Sequence, residues 1–331
     1  MSRILALGLL ASGALATGPA LANDTIAEIG IGGLVLGRTD DVEMVREDLH
    51  ISMDEVKVDY VFRNVTDDAV ESIVAFPLPD IDADPYSPVA LPVGASDNFL
   101  DFFVMVDGRM IEPQLDQRAY SLNIDVTDLL KKHGVPLYPY DRDVEAALAK
   151  LSPETVKDFV DRDILQVETI DDGSGEREER NANWSLRSAY WWKSSFPAGK
   201  DIAVSHRYKP AVGGTSSLTF YSDGKFNDDA LKEYETRYCV DDAFKAAVRK
   251  VAGSTPFTES HLKYVLTTGG NWSAGSIAEF KLTVDKGDAR NLVSFCGEGV
   301  RKVGPTTFEM TKKDFRPDED LEILILTPHG Q

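Results

Sequence analysis

The chain has 331 residues, 43% of them hydrophobic and 27% charged, which excludes a disordered polypeptide and a bundle of membrane helices. That length allows about two domains of ordinary size. A formal charge of −20 excludes nucleic-acid binding by phosphate neutralisation and suits solubility, divalent cations or a basic partner.

Met1 to Ala22 has the anatomy of a secretory leader. Arg3 supplies the positive start, Ile4 to Ala16 a short apolar run, and Ala20-Leu21-Ala22 the small-x-small cleavage rule. The run is too short to span a bilayer, so the expectation is an exported, periplasmic chain beginning at Asn23 and not membrane-spanning. Gly30, Gly32, Gly33 and Gly37 lie among Ile29, Ile31, Leu34, Val35 and Leu36, but the spacing fits no nucleotide-binding fingerprint. A first strand is expected there.

Val56, Val58, Tyr60 and Phe62 alternate with Lys57, Asp59, Val61 and Arg63. Successive strand side chains point to opposite faces, so one face is buried and the other wet. Asn64 to Asp68 breaks the run with turn-tolerant residues, and Ser72, Val74, Phe76 and Leu78 alternate after it. The pattern predicts an antiparallel pair opening a β-sandwich. Asp80, Asp82 and Asp84 stand at alternate positions, as at the start of a calcium loop. Pro85 and Leu91 occupy the glycine and glutamate positions, so a solvated loop is expected, with Ca2+ the ion those acids would take. Asp107-Gly108 between alternating runs predicts a hairpin.

The middle changes character. Asp125 or Thr127, then Asp141, then Ser152-Pro153-Glu154 read as helix starts, which predicts a helical insertion at about 125–165. Residues 171–180 are dense in charge without a large apolar side chain, and predict a mobile acidic loop. Trp184, Trp191 and Trp192 are three of the four tryptophans. With His206 they outline a candidate ligand surface, an aromatic shelf on which sugar rings could stack. Beyond residue 225, helices around Cys239 are followed by strands to Leu326. The pattern predicts a 23–225 β-sandwich domain and a smaller 226–331 α+β domain, in a β-rich (α+β) molecule. Two cysteines in an oxidising compartment predict a disulfide, Cys239–Cys296.

Several segments resemble the secreted bacterial domain-of-unknown-function 4424 family. They are A-N-D at Ala22 to Asp24, G-G-L-V-L around Gly33 to Val35, E-D-L-H-I-S at Glu47 to Ser52 and V-D-Y-V-F-R-N at Val58 to Asn64. F-P-L-P at Phe76 to Pro79, H-R-Y-K-P at His206 to Pro210, Y-C-V at Tyr238 to Val240, V-D-K-G at Val284 to Gly287 and G-P-T-T-F-E-M at Gly304 to Met310 continue the likeness. The resemblance transfers no catalytic residue. The Val56 to Pro79 pattern is also similar to the β-sandwich domain of vault and inter-α-trypsin-inhibitor proteins, which implies an interaction module by fold alone.

None of the five histidines (His50, His133, His206, His261, His329) forms a local metal pair, and no serine sits in a nucleophile elbow. Two readings follow. One is a non-catalytic module that binds an envelope protein or polysaccharide. The other is a periplasmic hydrolase or glycan-binding enzyme using Trp184 to His206 as its pocket.

Overall fold

The computed structural model describes residues 23–30, 33–83, 89–92, 98–171, 175–252 and 255–329. The leader, Asp84 and Pro85 lie outside these. The protein is β-rich, with several sheets and one disulfide. Sheet I runs in the order Ile124–Asp125, Gln114–Ser121, Ser185–Phe196, Val70–Pro77, Thr25–Gly30, Gly33–Gly37, with Ile81–Asp82 beside the start of Ser185–Phe196. Sheet II runs Arg301–Lys302, Thr307–Phe315, Ile277–Asp285, Val42–Ile51, Val56–Asn64, Asp201–Tyr208, Phe103–Val106, Arg109–Ile111. Sheet III runs Leu292–Phe295, Leu321–Pro328, Phe257–Tyr264, Val212–Thr215, Val89–Ala90.

The alternation in Val56–Asn64 is present: Val56, Val58, Tyr60 and Phe62 are buried. Its expected partner is wrong. Val56–Asn64 pairs with Val42–Ile51 and Asp201–Tyr208 in sheet II, whereas Val70–Pro77 pairs with Ser185–Phe196 and Thr25–Gly30 in sheet I. Period-2 patterning fixes which face is buried, not which strand lies alongside. The connecting turn is held by Asn64, whose amide donates to the carbonyls of Asp68 and Phe196. The Asp107-Gly108 hairpin is as expected. Val106 pairs with Arg109, and both turn residues have positive φ, +48° and +74°.

Residues on either side of position 225 share sheets and core. Ile277–Asp285 joins sheet II by a parallel ladder to Val42–Ile51. The largest apolar cluster takes Phe62 and Phe76 together with Trp272, Phe280 and Ile323. The expected break at 225 therefore does not separate two cores. A second cluster lies under three short helices, α1 (Thr127–Lys132), α2 (Val144–Ala149) and α3 (Pro153–Asp161), of which α3 has the expected Ser152 cap. Of the mobile loop expected over 171–180, residues 172–174 lie outside the described residues, and the flanks are strands rather than loop. Leu165–Asp171 and Glu176–Ala182 pair as a hairpin, with Arg180 donating to the Leu148 carbonyl. Cross-strand pairing satisfies this backbone although its side chains are charged.

A third cluster lies under α4 (Asp228–Arg237) and α5 (Asp242–Ala252), packed on sheet III. Asn227 caps α4 through the Asp229 and Ala230 amides. Cys239 and Cys296 form the expected disulfide, with Cα atoms 5.0 Å apart. Gly214 is required by close approach, because a Cβ there would fall 2.1 Å from the Glu259 carbonyl oxygen. Gly214→Ala should push Val212–Thr215 off Phe257–Tyr264 and cost roughly 2 kcal/mol, read as a lower melting temperature.

Candidate functional site

A cleft of about 570 Å³ opens between sheets I and III under α4. Leu78, Ile81, Phe99, Leu100 and Leu262 give it apolar walls. His261 and Lys263 from Phe257–Tyr264, Tyr234 and Arg237 from α4, and Asp80 and Asp82 from sheet I bring polar groups to it. A cavity of this size with mixed apolar and polar walls has the dimensions of a small-molecule site.

The polar wall is built outward from Glu259, which is fully buried. Its carboxylate accepts from the Thr219 amide at 2.6 Å and the Tyr234 hydroxyl at 2.5 Å, and lies 3.3 Å from His261 Nε2. Burial, with Glu259 beside it, pushes the Tyr234 phenol well above its ordinary range, so it stays a hydrogen-bond donor. His261 stacks on Tyr238 at 5.6 Å. The ring is thus fixed from behind, by Glu259 and Tyr238, while its free edge meets the cleft. Arg237 is held by Glu233 at 2.8 Å and Glu322 at 2.7 Å. Lys263 has no carboxylate within ion-pair distance among the described residues, and its charge acts at longer range on Asp80 and Asp320.

Thr219 Oγ1 lies on the Glu259 carboxylate and the Tyr234 hydroxyl. A nucleophile must lie on the far side of the histidine from its acid, so this order does not make a catalytic triad.

The expected site residues fall elsewhere. Trp184 is buried under the helical cluster and donates its indole N–H to the Leu137 carbonyl. Trp192 is buried in the main core. Trp191 is half-buried, on the opposite face of Ser185–Phe196 from Trp184 and Trp192. The aromatic shelf is therefore not formed, because strand alternation and two separate cores divide the three rings. Asp80 takes Arg187 at 3.0 Å, and burial raises its pKa against that opposing charge. Asp82 accepts from Ser185. The two carboxylates are turned onto separate partners and do not converge on a Ca2+ ion; Asp84 lies outside the described residues. Among the described residues no three His, Cys, Asp or Glu side chains gather as a metal site.

His206 is fully buried, with the rings of Tyr60, Phe76, Phe102 and Trp192 within 5.4 Å. Burial lowers its pKa to about 3, so the ring is neutral. Its Nε2 lies 3.6 Å from Asp24 Oδ2. An ionised carboxylate at that distance would raise the imidazole, but burial also drives Asp24 strongly towards its protonated form. The pair is therefore neutral on both sides.

The His261 cleft is hidden in the sequence because its wall at Leu78 to Asp82 is more than a hundred residues from the polar groups of Thr219 to Lys263. The one local signal was the alternation of Glu259, His261 and Lys263, which places all three on one side of a strand.

Several sheets, one disulfide and a ligand-sized cleft with an ordered polar wall describe a β-rich protein. By sequence, the chain belongs to the family described as domain of unknown function (DUF4424), whose model matches residues 22–324. No curated protein matches it. Among solved structures it is similar to the crystal structure of a "putative nutrient binding protein" from Legionella pneumophila subsp. pneumophila str. Philadelphia 1. That match has 18% identity and a TM-score of 0.46, and covers 92% of this chain and 71% of that one. Among the described residues no helix is long and apolar enough to cross a membrane.

Proposed function

We propose that this protein is an exported, non-catalytic binding module that captures a small, partly apolar organic anion in the His261 cleft. The observation that carries this reading is the Tyr234–Glu259–His261 chain, which immobilises one imidazole edge on the same strand face as Lys263, over partly apolar walls. An anionic group would meet Lys263 and His261, and the apolar body would lie on Leu100 and Leu262. The leader-like Met1 to Ala22 supports export to the periplasm, where such a module would meet free solutes or the acidic end groups of envelope polysaccharide and protein. Sheets I and II, facing one another across the Phe62–Phe76 core, support a sandwich as the frame.

The test is a melting-temperature screen of the chain from Asn23 against small carboxylates, amino acids and acidic oligosaccharides. A true ligand at 100 times its Kd should add about 2.7 kcal/mol of stability. Separate panels distinguish a free solute from a polymer end group. His261→Ala should weaken the hit at least tenfold, about 1.4 kcal/mol, with the unliganded melting temperature little changed. A screen with no hit, or a hit indifferent to His261→Ala, removes the proposal.

A further inference from the structure

Asn23, Asp24 and Glu47 are fully buried together. Glu47 reaches the interior because of a bulge. The register of Val42–Ile51 on Val56–Asn64 shifts between Met44 and Arg46, so burial passes from Val42 and Met44 to Glu47, Leu49 and Ile51. Glu47 accepts from the Asn23 side-chain amide at 3.0 Å. The Asn23 backbone nitrogen donates to Thr268 Oγ1 at 2.6 Å, and its side-chain oxygen accepts from the Tyr60 hydroxyl at 2.6 Å. Trp272 Nε1 closes the nest on the Asp24 carbonyl. Gly269 makes room for it, since a Cβ there would lie 2.8 Å from Asn23 Nδ2.

This enclosure holds two carboxyl groups and, among the described residues, no lysine or arginine; His206, 3.6 Å from Asp24, is the one imidazole beside them. Both Asp24 oxygens are buried without a hydrogen-bond partner. Neither Asp24 nor Glu47 has a lysine or arginine ion pair among the described residues. The other titratable groups facing it, Tyr60, Tyr264 and His206, are neutral. A buried carboxylate is expensive unless paired.

We propose that the missing cation is the α-ammonium of Asn23, released by hydrolysis of the Ala22–Asn23 peptide bond, and that it pairs with Glu47 inside the fold. This rests on the reading of Met1 to Ala22 as a leader. In that hydrolysis, catalysed by a leader-processing peptidase, the C–N bond breaks. Water gives its hydroxyl to the Ala22 carbonyl carbon and a proton to the Asn23 nitrogen; at neutral pH the new Ala22 carboxylic acid releases its proton to solvent and the Asn23 amine takes one up, so the products are a carboxylate and an ammonium with no net change in protons. Glu47 is the ionised partner because it already accepts from Asn23 and Tyr264. Asp24, fully buried and facing the Glu47 charge, keeps its proton beside the neutral His206. The nest is then complete only in the processed chain, so export and full stability are coupled.

The experiment compares the protein exported with its own leader against a variant with one glycine inserted between Ala22 and Asn23, which moves the ammonium out of the nest. Mass spectrometry of each product reads its first residue. A wild-type product that does not start at Asn23 overturns the leader reading, and the proposal with it. With Asn23 first, the insertion should lower the melting temperature by roughly 5 °C. In an E47Q background most of that gap should vanish. An unchanged gap in E47Q, or no gap at all, overturns the pairing while leaving the leader reading intact. Reductive methylation gives a readout that needs no variant: the Asn23 α-amine of the folded protein should label at least tenfold more slowly than after denaturation, and equal rates overturn the proposal.

Discussion

Replacing Cys239 and Cys296 together by serine should lower the stability of the oxidised protein by about 4 kcal/mol, a fall in melting temperature of roughly 8 °C or more. The disulfide spans a sequence separation of 57, and the chain-entropy cost of leaving that loop open in the unfolded state gives this magnitude. Its position adds a local consequence. Cys239 lies between α4 and α5 with a left-handed φ of +52°, which a non-glycine residue adopts only when held. Cys296 directly follows Leu292–Phe295 at the edge of sheet III. The bond thus pins the α4–α5 layer to the sheet that carries His261. Freed, α4 would take Tyr234 from Glu259 and Arg237 from Glu322. The double variant should therefore lose cleft affinity at temperatures where most of the molecule is still folded. Hydrogen exchange should show α4 and α5 opening first. Equal melting temperatures for the double variant and the oxidised protein would refute this account of the bond.

Local chemistry was legible in the sequence where a few adjacent residues decide the outcome. Asp107-Gly108 set a two-residue hairpin because both positions take positive φ. Ser152-Pro153 and Asn227 started helices because their side chains reach the first free amides. The alternation in Val56–Asn64 named a buried face correctly. Its partner was hidden, because Val70–Pro77 carries a matching pattern that suits another sheet equally well. The parallel ladder of Ile277–Asp285 on Val42–Ile51 joins segments more than two hundred residues apart, and no short-range signal marks it. The tryptophans misled for a related reason: neighbours in sequence, they enter different cores. The His261 cleft was visible only as Glu259, His261 and Lys263 on one strand face. Its other wall comes from Asp80, Asp82 and α4.

Acid should destabilise the protein through His206, and His206→Phe should remove that sensitivity. Burial holds the folded imidazole at about 3, against about 6.5 unfolded. Above pH 6.5 neither state binds the proton, and the stability associated with the neutral ring is fully present. As pH falls from 6.5 towards 3, the unfolded chain takes up a proton that the folded chain refuses, and that stability is lost. The loss is about 2 kcal/mol at pH 5 and about 4 kcal/mol by pH 3.5. Glu47 runs in the opposite sense. In a chain without the Asn23 ammonium, burial lifts it to about 8, so its contribution is present below its unfolded value near 4.5 and is lost as pH rises through 8. Glu47 is common to both proteins, so its contribution cancels in the difference between wild type and His206→Phe; Asp24, 3.6 Å from His206, titrates with it as a pair and is read within that difference. Phenylalanine suits the site, since His206 already lies among the rings of Phe76, Phe102 and Trp192 and makes no hydrogen bond. Its overpacking cost at pH 7.5 should stay near 1 kcal/mol. Denaturant unfolding at pH 7.5, 5 and 3.5 measures the difference. The variant should start slightly less stable and become the more stable protein as pH falls. Parallel loss of stability in the two proteins would mean that another group carries the acid response.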